Sequence, residues 1–186
     1  MLALIEALYK ADQALLLAIN QGGTETWDPI VWYATQSWVW TPLFLAALVA
    51  LRRRYSKAMW RPVSAAFLAV TLSDLICSAA LKPTIGRLRP THEPTLQSAI
   101  RTVRGYRGGR FSFPSNHAAN SMALTTVVAA YLRHPVAWGI GLSWAFLHSL
   151  TRLYLGVHYP SDLLGGWILG FLLGMGVLVL LRPSDG

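Results

Sequence analysis

Apolar runs long enough to cross a lipid bilayer dominate this sequence. A hydrocarbon core of about 30 Å takes about 20 residues of helix. Candidate runs lie at 28–51, 62–81, 117–132, 135–150 and 162–181, the first with candidate breaks near Ser37 and at Pro42. Backbone polar groups in lipid must be paired within the segment, which such runs achieve as helices. The expected fold class is therefore all-α: an integral membrane helical bundle of about five to six transmembrane helices, with 1–186 as a single domain. Residues 62–181 form its motif-bearing core. Residues 1–26 read as an amphipathic or interfacial helix, or a short first span. In them Leu2, Leu4, Ile5, Leu8, Leu15 and Leu16 recur at mixed three- and four-residue steps. Glu6, Lys10 and Asp12 interrupt the run and no basic start precedes it, so a cleavable secretory signal is not expected. Trp27, Trp38, Trp60 and Trp138 fall near run ends, as interfacial aromatic belts do.

Charge narrows the reading. Charged residues make up 13% of the chain, against about 25% in soluble domains. Yet 16 Lys and Arg face 8 Asp and Glu, a formal charge of +8. A basic excess usually marks a nucleic-acid binder, but such proteins are rarely this apolar. The expected partners are the bilayer and an anion, not nucleic acid. The one cysteine, Cys77, excludes an intrachain disulfide and a cysteine-rich metal site.

The cations are not spread evenly. Arg52, Arg53, Arg54, Lys57 and Arg61 cluster after the first run, a cytoplasmic marker under the positive-inside rule. Counting spans from there puts three polar segments on the opposite face. These are Lys82 through Arg89-Pro90, Pro114-Ser115-Asn116-His117, and Thr151-Arg152 through His158 to Asp162. The stretch 82–116 carries Lys82, Arg87, Arg89, Arg101, Arg104, Arg107 and Arg110 with Glu93 as its only acid. So many cations on the outward face, against the positive-inside tendency, imply that some are used.

Lys82, Arg89 and Arg152 repel one another unless an anion joins them. Arginine suits bidentate contact with phosphate oxygens, and lysine acts as a mobile point charge. Ser115 and Asn116 precede the third run, where free N–H groups at a helix start attract anions. His158 and Asp162 are four residues apart. A carboxylate on one imidazole nitrogen sets the tautomer and leaves the other free to attack. His117 is available as a general acid. Zinc on His117, His158 and Asp162 is the rival reading, but a dication among three cations is electrostatically poor where a phosphate is favourable.

These segments resemble the motifs of the type 2 phosphatidic acid phosphatase (PAP2) superfamily: K-x6-R-P, P-S-G-H and S-R-x5-H-x3-D. Lys82 and Arg89 have six residues between them, Arg152 and His158 five, His158 and Asp162 three. The resemblance covers about 62–181. Asn116 stands where the family has Gly, and Thr151 where it has Ser. The resemblance implies phosphate removal from a lipid without a metal or other cofactor, through a phosphohistidine. His158 would be the nucleophile, Asp162 its orienting partner and His117 the proton donor. Lys82, Arg89, Arg152, Ser115 and Asn116 would bind the phosphate. Candidate substrates are undecaprenyl diphosphate, phosphatidylglycerophosphate, phosphatidate and the 1-phosphate of lipid A. A lipid phosphotransferase and a non-enzymatic phospholipid-binding protein are the alternatives. The site would face outward from the cell membrane, toward a periplasm where there is one.

Other residues receive plainer readings. Asp74 lies inside the second run, eight residues before Lys82, and is expected to support the site from behind. Arg87 is expected to support the site or to meet solvent or a lipid headgroup. Among Arg101, Arg104, Arg107 and Arg110, read as a solvated loop or a substrate lid, Arg110 is the best lid candidate. His92, His134 and His148 are expected to be structural, and Cys77 a small buried residue. Gly166, Gly170 and Gly174 form a helix-packing row within the bundle.

Overall fold

The computed structural model describes residues 2–181, with side chains from Glu6 onward. The helices begin where the sequence pre-forms a first turn. Proline sits in the first turn of α3 (Thr41–Tyr55), α5 (Lys82–Ile85) and α7 (Pro135–Tyr154), and opens α8 (Pro160–Leu181). Its fixed φ suits that turn and its missing N–H costs nothing there. The remaining helices are α1 (Leu2–Gln21), α2 (Trp27–Ala34), α4 (Trp60–Leu75) and α6 (Asn116–Leu132). Among the described residues the only β pairing is one bridge between Leu88 and Phe111.

Five long helices, α3, α4, α6, α7 and α8, make a membrane bundle. Two helical stretches, Ser37–Ile85 and Pro160–Leu181, are long and apolar enough to cross a membrane, with mean hydropathies of 1.8 and 2.3. The first folds back on itself at Ser56, whose positive φ of 48° turns α3 into α4. The bundle's outer surface is apolar: Phe67 is 73% exposed and Leu180 76%. Its interior is built from small residues. Ala65, Ala66, Ala69, Ala123 and Val127 pack with Leu51, Tyr131 and Val177. That inversion suits a lipid solvent, where close backbone approach rather than hydrophobic exclusion holds helices together.

The tightest junction is between α6 and α8, along the expected glycine row. A Cβ at Gly170 would collide with the carbonyl oxygen of Ala119, and one at Gly166 would lie 2.7 Å from that of Ser115. The Ser115 N–H also donates to the Asp162 carbonyl at 3.0 Å. The starts of α6 and α8 are thereby clamped side by side.

Two readings left open by the sequence are narrowed. The run 28–51 is broken near Ser37. Helix α2 ends at Ala34, Gln36 is extended, and a 3-10 turn at Ser37–Trp40 leads into α3. The break near Ser37 places α2 at the motif end of the bundle, where Asp28 pairs with Arg101. The first helix lies over that same end. Its Asp12, Leu16 and Asn20 meet Ser161, Leu96 with Ile100, and the carbonyls of Arg101 and Tyr154. Tyrosine 55, beside the Arg52–Arg54 cluster, donates to the Tyr131 carbonyl at the opposite end. The three motif segments therefore share one end and the early basic cluster occupies the other, as span counting predicts.

Candidate active site

Each functional side chain is carried at the mouth of a helix or on the loop it receives. The second long helix ends in a π-helical segment, Ile76–Leu81, immediately before Lys82. Such segments are rare and concentrate at functional sites. Lys82 Nζ donates to Asn116 Oδ1 at 2.5 Å. Asn116 Nδ2 in turn donates to Asp74 Oδ1 at 2.7 Å and to Ser78 Oγ at 2.8 Å. Asn120 adds a further donor to the same Asp74 oxygen at 3.1 Å. The intramembrane carboxylate is thus joined to Lys82 through the side chain that replaces the family glycine.

Arg89 and Arg152 are 8% and 2% exposed, respectively. Arg89 Nε donates to the Phe111 carbonyl at 3.1 Å. Arg152 donates to Thr35 Oγ1 at 2.6 Å and to the Tyr106 hydroxyl at 3.0 Å. Among the described residues both are held only by neutral acceptors, and Arg89 Nη1 and Arg152 Nε are buried with no partner. Burial and the nearby Arg152 push Arg89 down to about 10. Buried cations without a carboxylate are costly, on the order of several kcal/mol each. An arriving anion would relieve that cost.

Ser115 caps α6 by position but not by bonding. Its backbone is extended, its side chain makes no cap hydrogen bond, and its Oγ is buried and unpartnered. His117 follows in the first turn of α6. Its ring faces His148 at 5.2 Å between centroids. His148 also stacks on Trp144 at 5.6 Å and meets Trp40 edge-on.

His158 sits in the turn before α8 and is 1% exposed. Its Nδ1 lies 3.3 Å from Asp162 Oδ2, which also accepts the Tyr159 N–H at 2.8 Å. An ionised carboxylate only accepts, so Nδ1 carries the proton and Nε2 keeps its lone pair. Burial, then Arg89, Arg152, Lys82 and Arg87, hold the imidazole well below its ordinary range. The neutral, nucleophilic form is therefore favoured at neutral pH.

Arg87 is not a headgroup or solvent contact. Its Nη1 donates to Asp162 Oδ1 at 2.8 Å and its Nη2 to Asp12 Oδ2 at 2.6 Å. Arg110 stays outside the cluster. Its side chain is exposed over the Phe111 ring, and only its carbonyl takes part, accepting the Arg89 N–H. Arg101, Arg104 and Arg107 are tied to Asp28, to Trp32 and Tyr33, and to the Thr91 carbonyl, so they brace the loop. Among the described residues no three His, Cys, Asp or Glu side chains could hold a metal ion together. Sequence reading passed over Asp12, Thr35, Tyr106 and the nearness of His148, since no local spacing links them to the motifs.

At one end of the membrane bundle an oriented imidazole and three cations come together, an arrangement whose charge suits an anion. The chain belongs to the PAP2 superfamily, a class of membrane phosphatases: that family's model matches residues 63–184. The chain is 38% identical to the lipid A 4'-phosphatase of Bacteroides thetaiotaomicron over 169 residues, 90% of this chain and 75% of that protein. It is 29% identical to the lipid A 4'-phosphatase of Porphyromonas gingivalis, over 91% of this chain and 72% of the relative. The crystal structure of a transmembrane PAP2-type phosphatidylglycerolphosphate phosphatase from Bacillus subtilis superposes with a TM-score of 0.74 at 26% identity. That match covers 96% of this chain and 88% of the other.

Proposed function

We propose that this chain hydrolyses the phosphomonoester of a lipid, most fittingly the 4'-phosphate of lipid A, through a phosphohistidine at His158. The observation that carries the reading is the His158–Asp162 pair, 3.3 Å apart, close to Arg89 and Arg152, which among the described residues have no carboxylate partner. The substrate assignment rests on the two lipid A 4'-phosphatases, each aligned over nine-tenths of the chain.

In the reaction the phosphate lies among Lys82, Arg89, Arg152 and the donors of Ser115 and Asn116. Lys82 keeps its bond to Asn116 and donates another of its three N–H groups to a phosphate oxygen. His158 Nε2 attacks phosphorus while the P–O bond to the lipid breaks. The bonding pair leaves with the lipid oxygen, which takes a proton from His117. Asp162 stabilises the imidazolium that forms. Water then attacks the phosphohistidine with His117 as base, the P–N bond breaks, and Nε2 recovers its lone pair. The fixed cations stabilise the charge that develops at phosphorus, usually the largest single contribution. No step draws on a metal.

The leaving side also suits a lipid. A cleft of about 650 Å³ runs between α3, α4, α6 and α7, lined by Phe44, Phe67, Leu124, Val128, Ile140 and Trp144. Trp144 stacks on His148, which faces His117. Acyl chains lodged there place the departing oxygen on the side of the proton donor. With the Arg52–Arg61 cluster on the cytoplasmic side, the site opens to the outside or the periplasm of a multi-pass membrane protein.

Phosphate release from purified lipid A, phosphatidylglycerophosphate, phosphatidate and undecaprenyl diphosphate, in detergent with EDTA, tests this. Lipid A should be the best substrate, and an acid-labile phosphoenzyme should accumulate on quenching. Normal turnover by His158→Ala would overturn the mechanism, and a labelled acceptor lipid would replace hydrolysis with transfer.

A further inference from the structure

One side chain links the first helix to the nucleophile. Asp12 of α1 accepts from Arg87 Nη2 at 2.6 Å, from the Ser161 N–H at 2.8 Å and from the Ser161 hydroxyl at 2.5 Å. Arg87 Nη1 meets Asp162 Oδ1 at 2.8 Å and Ser161 Oγ at 2.6 Å. Its guanidinium lies 3.8 Å above the Tyr159 ring. The Arg87 and Asp12 side chains are only 18% and 10% exposed. The result is a continuous row, His158–Asp162–Arg87–Asp12. Asp12 lies outside the residues that the family model matches.

We propose that Asp12 is a positioning residue for the reaction: it anchors Arg87 and balances its charge, so that Asp162 keeps its orientation and the row keeps a net negative charge toward His158. The inference rests on the phosphatase reading above.

The charge balance is the core of it. Attack on phosphorus makes the His158 imidazole cationic, and Asp162 is the carboxylate that stabilises it. Arg87 alone would neutralise that carboxylate from its other oxygen. With Asp12 on the far side of the guanidinium, the three groups carry one net negative charge in place of none. The geometry agrees. Asp162 Oδ2 serves His158 and the Tyr159 N–H, and Oδ1 is given to Arg87, so the carboxylate plane cannot turn. The groups acting on His158 are Asp162 in the first turn of α8, Arg87, Arg89 and Lys82 from the segment 82–89, Arg152 of α7 and His117 of α6. An exposed ion pair would merely tie α1 down and add little. A buried guanidinium shared between two carboxylates also sets the field at the nucleophile.

Wild type and Asp12→Asn, purified in detergent, are compared on the lipid phosphate that wild type turns over, with thermal unfolding of the same samples. The expected result is a kcat lower by about tenfold, with KM within about twofold because the phosphate-binding cations are untouched. Asp12→Glu, which retains the charge, should recover at least about a third of the wild-type kcat. On an Arg87→Gln background, Asp12→Asn should add no further loss. A kcat within about twofold of wild type, with only the unfolding temperature lowered, overturns the proposal. So does a loss that falls wholly in KM. If Asp12→Asn does not fold, Arg87→Lys carries the test, since lysine keeps the charge but lacks the fork that joins two carboxylates. A loss of about tenfold in kcat supports the proposal and a wild-type kcat overturns it. A wild type silent on every lipid phosphate overturns the phosphatase reading and this inference with it, whereas an active wild type insensitive to Asp12 overturns this inference alone.

Discussion

Lys82 Nζ rests on Asn116 Oδ1 at 2.5 Å, at the position where the family motif has a glycine without a side chain. The same amide is held from behind by Asp74 and Ser78, so Lys82 waits in a fixed place. Asn116→Gly removes both the perch and the link to Asp74. Hydrogen bonds to charged groups are worth about 1.5–3 kcal/mol. Competitive inhibition by inorganic phosphate should therefore weaken by about tenfold. Tighter inhibition in the variant would mean that Asn116 competes with the substrate for Lys82.

Asp162→Asn should leave the helix pair intact and remove most of the activity. An amide cannot serve as an acceptor-only partner for the Nδ1 proton, so the imidazole adopts the wrong tautomer. In a comparable His–Asp pair of a serine protease the same change costs about 10⁴ in kcat. Phosphate release together with trapping of the phosphoenzyme measures it.

The glycine contact between α6 and α8 makes a stability prediction. Gly170→Val must force the Ala119 carbonyl away, and overpacking of this kind costs about 1–3 kcal/mol. The unfolding temperature in detergent should fall. Because His117 and His158 stand at the adjoining ends of these helices, kcat should fall with it. Gly176→Ala, where an added Cβ meets nothing within 4 Å, is the control and should be silent.

Stability should depend on pH through His158. Its pKa is lowered in the folded protein by burial and by Arg89, Arg152, Lys82 and Arg87. The unfolded chain therefore takes up a proton that the folded chain refuses. Stability is fully present above an ordinary imidazole pKa of about 6.5 and falls as pH drops below it, by at most about 1.4 kcal/mol per pH unit. Unfolding in detergent between pH 7.5 and 5 should show this contribution, and His158→Gln should make the slope shallower than in wild type.

Anion binding gives a further handle. If buried Arg89 and Arg152 await an anion, vanadate or phosphate should stabilise the fold by mass action, by about 2.7 kcal/mol at 100 times Kd. Arg152→Gln should abolish the increase in unfolding temperature.

The candidate site was more legible in the chain than the architecture around it. Lys82, Arg89, Arg152, His158 and Asp162 stand out by spacing within short segments that the fold brings to one end, and α6 and α8 by largely apolar runs between polar ends. The end of helix α2 was one of two candidate breaks, near Ser37 and at Pro42, because Trp32, Tyr33 and Trp38 keep the run apolar; the extended Gln36 decides for the first. Thr35, Tyr106 and Asp12 carry no local signal. Each meets its partner across a sequence separation of 46 residues or more. Arg87 was visible as a basic residue, but its two carboxylates come from opposite ends of the chain. Arg110 looked poised for the site because it is close in sequence to Ser115, yet the chain there turns its side chain away.

The clamp between α6 and α8 has a last consequence. It sets His117 and His158 in one rigid frame, while Arg87 and Arg89 reach that frame from the separate connection 86–113. A change in this connection therefore alters the charge around His158 without altering the spacing of the two histidines, so charge and spacing can be varied independently.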